Sequence, residues 1–126
     1  MQKFKVINTP DAPQPVGTYS QAVLSSGPFL FVSGQTPRLT NGKLMVNASI
    51  EEQTKMVLEN IQAIARSAGL ELKDIVHVTV YLNDLAHKAQ FENVYKTFFT
   101  DPLPARIVVQ SSFKDFDVEI SAIIQK

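Results

Sequence analysis

The run from Ile75 to Leu82 limits the fold more than any other stretch of this chain. Val76, Val78, Val80 and Leu82 fall on one side of it, and Ile75, His77, Thr79 and Tyr81 on the other. That alternation is the period of a β-strand. Apolar groups on both sides place the strand inside a sheet, because an edge strand or a one-sided one would give half of them to water. A chain with such a strand must pair both its edges and cover its faces.

The cover is legible on either side of it. Ser49-Ile50-Glu51-Glu52 is a capping box, a hydroxyl with a carboxylate three residues on. In the helix it opens, Ile50, Val57, Leu58, Ile61, Ile64, Ala65 and Ala68 share one face, and Gly69 suits the position after the C-cap. Asp84 caps a second helix with the apolar face Phe91, Val94, Tyr95 and Phe98, which Pro102 and Pro104 stop. Ala22 to Leu24, Phe29 to Ser33, Ala105 to Gln110 and Val118 to Ile124 read as further strands. Pro10, Pro13 and Pro15 break the early chain, and Thr36 to Asn47 is a loop or weak hairpin around Asn41-Gly42. The order β-β-α-β-α-β-β predicts an α+β fold. It has two layers, a mixed sheet with two helices on one face, and forms one domain over residues 1–126. The other face then carries either Phe29 and Phe31 or Leu30 and Val32, too apolar for open water, so a homo-oligomer is expected.

Composition removes several chemistries. With no cysteine, a disulfide framework, a thiolate zinc site and a cysteine nucleophile are excluded. Lys plus Arg and Asp plus Glu are 12 each, so no overall charge draws the chain to nucleic acid. Residues Met1 to Val6 lack the apolar run of a signal peptide, and no stretch approaches the roughly 18 residues of a membrane span. A cytoplasmic protein is expected. His77 and His87 have no ligand spacing and read as structural or solvated, so no metal site is expected. Asp115, Asp117 and Glu119 do not fit a calcium loop. There is no nucleophile elbow and no glycine-rich phosphate loop, and Ser33-Gly34-Gln35 by itself is only a turn.

Arg106 and Glu119 stand apart. Each is a long charged residue inside an apolar strand, and burying an unpaired charge is costly. Two readings stay open. In the first, the two bridge each other across neighbouring strands. Alternatively, Arg106 faces a pocket and grips a carboxylate with its fork, with Glu119 as a base or water-orienting group.

Motifs along the chain resemble those of the RidA/YjgF family. They are Gly17-Thr18-Tyr19-Ser20-Gln21-Ala22, Phe31-Val32-Ser33-Gly34-Gln35, Gln53 with Asn60-Ile61, Ala68-Gly69-Leu70, and Asp74-Ile75-Val76. Asn93-Val94-Tyr95 with Phe98-Phe99, Pro104-Ala105-Arg106 and Val118-Glu119-Ile120 complete the set, from about residue 8 to residue 124. The resemblance implies a chorismate-mutase-like α+β fold assembled as a homotrimer, with ligand clefts between subunits. It implies hydrolysis of small 2-imino acids, such as 2-iminobutanoate and 2-iminopropanoate, to 2-keto acid and ammonia. Pyridoxal-phosphate enzymes supply such imines when they dehydrate serine or threonine. Carried over by motif, Arg106 holds the substrate carboxylate, Glu119 positions water, and Tyr19 is the third catalytic candidate. Ser33, Gly34, Glu92 and Val108 join Arg106 in binding. No cofactor or metal is implied. Two other readings compete: a non-catalytic trimer that binds small carboxylates, and an endoribonuclease, which the zero net charge disfavours.

The chain also departs from the family pattern. Thr18 stands where Pro is usual and Glu92 where Asn is usual. Ser112-Phe113-Lys114 replaces a Leu-Pro pair, and the loop from Phe99 to Pro104 is short. These positions bear on substrate range and leave Arg106 and Glu119 in place.

Overall fold

The structure, a computed structural model, describes residues 3–126. The strands are β1 (Lys5–Ile7), β2 (Ala22–Leu24), β3 (Phe29–Gln35), β4 (Ile75–Leu82), β5 (Ala105–Gln110) and β6 (Val118–Gln125). The helices are α1 (Ile50–Ser67) and α2 (Lys88–Phe98), each approached by a single 3₁₀ turn or a cap. The main sheet runs β3-β6-β4-β5, so β4 is an interior strand as its two apolar faces require. β3 and β4 are each antiparallel to β6, and β4 and β5 are parallel, joined through α2. This is the expected mixed α+β arrangement.

The helix-side face of the sheet builds the core. Val78, Val80, Leu82, Val118, Ile120 and Ile124 lie under Val57, Leu58 and Ile61 of α1 and Phe91 and Tyr95 of α2, all fully or almost fully buried. Gln53 ties α1 to the start of β6: its amide donates to the Asp117 carboxylate at 2.9 Å and its carbonyl oxygen accepts from the Asp117 N–H at 2.8 Å.

Two details were not legible beforehand. β1 is an additional strand, and β2 pairs with it in a separate two-stranded ribbon outside the main sheet. The β3–β6 register also slips: Val32 opposes Ala122 but Gln35 opposes Ile120, so β3 carries one extra residue at Ser33–Gly34. The expected weak hairpin is present as a single Arg38–Leu44 bridge around Gly42. Gly69, at φ +75°, follows the C-cap in the left-handed conformation that lets α1 stop.

The other face of the sheet is open. It presents Phe31 at 71% exposure and Ile107 at 52%, with Phe29 and Val109 beside them. The first of the two alternatives for β3 therefore holds: Phe29 and Phe31 look outward, Leu30 and Val32 inward.

The capping box of α1 is complete. The Glu52 N–H donates to the Ser49 hydroxyl at 3.1 Å, and the Ser49 N–H donates to the Glu52 carboxylate at 2.9 Å. The Ser49 N–H, and after it the Ser49 hydroxyl, hold the Glu52 carboxyl below its ordinary value. A depressed carboxyl stabilises the fold above its unfolded value and loses that contribution as pH falls through the folded one. Glu52→Ala should therefore lower the melting temperature at neutral pH. Thermal unfolding followed from pH 7 down to pH 3 should show wild type and variant converging. Ser49→Ala should cost about 1 kcal/mol at neutral pH.

Candidate functional site

Arg106 opens the site. β5 sets Arg106 opposite Val78, on the helix side of the sheet, where the first turns of α2 overhang it. Its guanidinium carbon lies 4.7 Å from the centre of the Tyr95 ring, 5.4 Å from Tyr19 and 5.7 Å from Phe91. Three aromatic faces thus replace the water that the charge gave up. The side chain is 2% exposed, and its Nη1 donates to Oε1 of Glu92, which is 22% exposed. The Tyr95 hydroxyl is buried beside it with no hydrogen-bond partner among the described residues. Burial pushes that phenol well above its usual range, against the pull of the Arg106 charge, so it stays neutral.

A loop brings Tyr19 to this place. The Gln21 side chain staples it: the Thr9 N–H donates to the amide oxygen, and the amide nitrogen donates to the carbonyls of Thr9, Ala12 and Pro13. The Ser20 N–H donates to the Pro104 carbonyl at 3.0 Å, docking the loop on the start of β5. The Thr18 N–H reaches Oε2 of Glu92 at 3.3 Å, and the Tyr19 hydroxyl accepts from the Val16 N–H at 3.2 Å. A Cβ on Gly17 would stand 3.2 Å from Arg106 Nη2 and 3.4 Å from Glu92 Oε2, so glycine lets the loop close over the ion pair. What remains is a cavity of about 260 Å³ walled by Val16, Gly17, Tyr19, Lys88, Glu92 and Arg106.

Glu119 lies elsewhere. It opposes Tyr81 on the open face of the sheet, two strands from Arg106 and on the other side. The two do not bridge each other, and the first of the two open readings fails because β4 runs between their strands. Glu119 instead fills the space beside the β3 bulge. A Cβ on Gly34 would come within 2.1 Å of its Oε2, so any larger residue there must push the Glu119 carboxylate aside. Ser33, next to it, is exposed.

Val108 shares the helix side of β5 and is half-buried against the core. The Ser111 N–H bonds the Leu82 carbonyl, whereas the Pro104 carbonyl turns outward to Ser20. By the alternation of a parallel ladder, the N–H and C=O of Arg106 and Val108 point outward too, along the unpaired edge of β5.

One chain therefore gathers Tyr19, Glu92 and Arg106 in one place and Ser33, Gly34 and Glu119 in another. Sequence reasoning missed Gly17, Lys88 and the Tyr95 hydroxyl. Tyr95 was hidden because its ring belongs to the apolar face of α2. Gly17 and Lys88 gave no separate signal. Among the described residues no cluster of His, Asp and Glu could hold a metal ion, and no helix is long and apolar enough to cross a membrane.

Comparison with known proteins bears on the family and the fold. Residues 9–126 match the family described as endoribonuclease L-PSP. A RutC family protein of Pyrococcus horikoshii is 44% identical over 124 residues, covering 97% of this chain and 98% of its own. A protein of Dermatophagoides farinae named 2-iminobutanoate/2-iminopropanoate deaminase is 32% identical, covering 98% of each chain. The crystal structure of RidA from an Antarctic Psychrobacter superposes with a TM-score of 0.73 at 36% identity, over 97% of this chain and 99% of that one. The chain belongs to the endoribonuclease L-PSP family, the RidA/YjgF group whose motifs it carries.

Proposed function

We propose that the protein is a cytoplasmic homotrimeric deaminase that hydrolyses small 2-imino acids to 2-keto acids and ammonia. The carrying observation is a buried guanidinium, 2% exposed and walled by three rings, at the side of an open cavity of about 260 Å³. The deaminase name of a 32% identical relative points the same way. Arg106 takes the substrate carboxylate and fixes the angle of the C=N bond, which is a proximity contribution. Tyr19 forms the wall behind it, and the outward N–H and C=O at Val108 meet the ligand at the β5 edge.

The chemistry needs little more. The protonated C=N carbon is already electrophilic. Water adds to that carbon as the π pair moves to nitrogen, and the water gives up one proton. The carbinolamine then collapses: its nitrogen takes up the proton that the attacking water gave up, the C–N bond breaks with its electron pair leaving on ammonia, and the remaining O–H proton is lost as the C=O bond of the keto acid forms. Glu119 takes the proton from the attacking water, a general-base contribution of about 10²- to 10⁴-fold. Because Glu119 lies on the opposite face from Arg106, a neighbouring subunit supplies it together with Ser33 and Gly34. The exposed Phe31 and Ile107 are the surface such an assembly covers. Reactions that dehydrate hydroxy-amino acids on pyridoxal phosphate would feed the site.

A competition assay tests this. A threonine dehydratase generates the imine, semicarbazide traps it, and added protein should lower the semicarbazone yield. An unchanged yield with several imino acids would overturn the proposal. Gly34→Ala should leave the helix core intact but drive the Glu119 carboxylate aside. Its kcat should fall by about 10²-fold or more, with KM little changed.

The Arg106–Glu92 pair favours a second reading, a trimer that binds carboxylates without turning them over, since Glu92 already occupies part of the guanidinium. Calorimetric binding of 2-oxobutanoate without any imine hydrolysis would select it.

A further inference from the structure

We infer that Glu92 makes the Arg106 cavity select ligands with a cationic nitrogen beside their carboxylate over 2-keto acids of the same length. The selected class is protonated imino acids and α-amino acids. The inference rests on the proposed function in one respect only, that the ligand carboxylate goes to Arg106.

The charges that this chain brings to the cavity decide the preference. Arg106 is almost wholly buried, and Glu92 is its ion-pair partner among the described residues. Oε1 of Glu92 accepts from Nη1 of Arg106, and Oε2 accepts the Thr18 N–H only at a long 3.3 Å. The guanidinium is thus neutralised before any ligand arrives. A keto acid then sets a second carboxylate against the first, and two like charges sharing one site disfavour each other. It could displace Glu92, but only by breaking the Arg106 pair and freeing the Thr18 contact.

A zwitterion meets neither obstacle. Arg106 has five N–H donors, and Nη1 alone is used by Glu92. Nη2 faces Gly17, which puts no side chain over it, and the cavity that Arg106 and Gly17 line lies alongside. The ligand carboxylate takes these remaining donors. Its nitrogen, two bonds from the carboxyl carbon, reaches the Glu92 carboxylate, which has about four acceptor sites and uses two. Lys88 at the rim is exposed and favours every carboxylate alike, so it does not discriminate. The site then holds the electrophilic, protonated imine better than the product, and the keto acid leaves without being held by the group that bound its precursor.

Calorimetry with two probes of one carbon skeleton, L-2-aminobutanoate and 2-oxobutanoate, tests the inference. Wild type should bind the amino acid more tightly by about tenfold or more. Glu92→Gln keeps the shape and, through its one amide oxygen, the bond from Arg106, gives up the long Thr18 contact and removes the charge; it should cut that ratio by about tenfold, chiefly by gaining affinity for the keto acid. The ratio compares two ligands on one protein, so a loss of folded fraction cancels. Should Glu92→Gln fail to fold, Glu92→Asn gives the same reading. No preference in wild type, no binding of either probe, or an unchanged ratio in the variant overturns it. If imine hydrolysis is absent while the ratio behaves as expected, the deaminase proposal fails and this inference stands. If hydrolysis is present while the ratio does not move, this inference alone fails.

Discussion

Arg106→Ala is expected to lower kcat/KM for 2-imino acids by about 10²- to 10³-fold, the usual cost of truncating one partner of a buried, hydrogen-bonded charge pair. The semicarbazide competition assay reads this directly, and a near-native rate would end the role given to Arg106. Stability should suffer as well. The substitution empties the space among Tyr19, Phe91 and Tyr95 and leaves Glu92 without its counter-ion. The two effects separate in a double variant. Adding Glu92→Gln to Arg106→Ala should recover part of the melting temperature and none of the activity. Arg106→Lys should fall between wild type and alanine, because lysine keeps the charge but neither the planar fork nor the stacking on three rings.

Phe31→Asp is expected to have an effect of comparable size by another route. In a single chain the residue is 71% exposed, and a surface aspartate there would change stability by no more than about 0.5 kcal/mol. In the proposed trimer the same position is covered. The substitution then removes about 1.5–3 kcal/mol of apolar burial from each subunit and puts an unpaired carboxylate in its place. Sedimentation should show wild type as a trimer and the variant as a folded monomer. Activity should vanish with the trimer, since no single chain brings Glu119 to Arg106. A monomeric wild type would overturn the assembly. A trimeric Phe31→Asp would move the interface to another surface.

The parts of the fold that were legible are those where a local pattern reports a tertiary fact. Ile75 to Leu82 carries apolar groups on both sides because it lies inside the sheet. Ser49 and Glu52 announce α1 because the cap uses only groups within one turn. The opaque parts depend on distant chain. β1 is three residues long, too few to show a period. The extra residue at Ser33–Gly34 is a property of pairing, visible only once β6 lies alongside.

The same distinction divides the site. Arg106 stood out because a charge in an apolar strand needs a partner, and that demand is written locally. The identity of the partner is not. Glu119 looked eligible because its strand is also apolar, but the order β6-β4-β5 separates the two, and the helix crossing overhead supplies Glu92 instead. Glu92 is a binding candidate by the resemblance and a departure from the family pattern, but nothing local in the sequence marks it as the partner of Arg106. Its place beside Arg106 gives that departure a physical meaning.

The Gln21 staple has a thermodynamic consequence for whatever enters the cavity. One amide gathers Thr9, Ala12 and Pro13, and Pro10, Pro13 and Pro15 limit the backbone around them. The segment that presents Gly17, Thr18 and Tyr19 is therefore ordered before a ligand arrives. Its loss of freedom belongs to folding and not to binding. A small ligand with few atoms to contribute can then dock without first organising the wall that holds it.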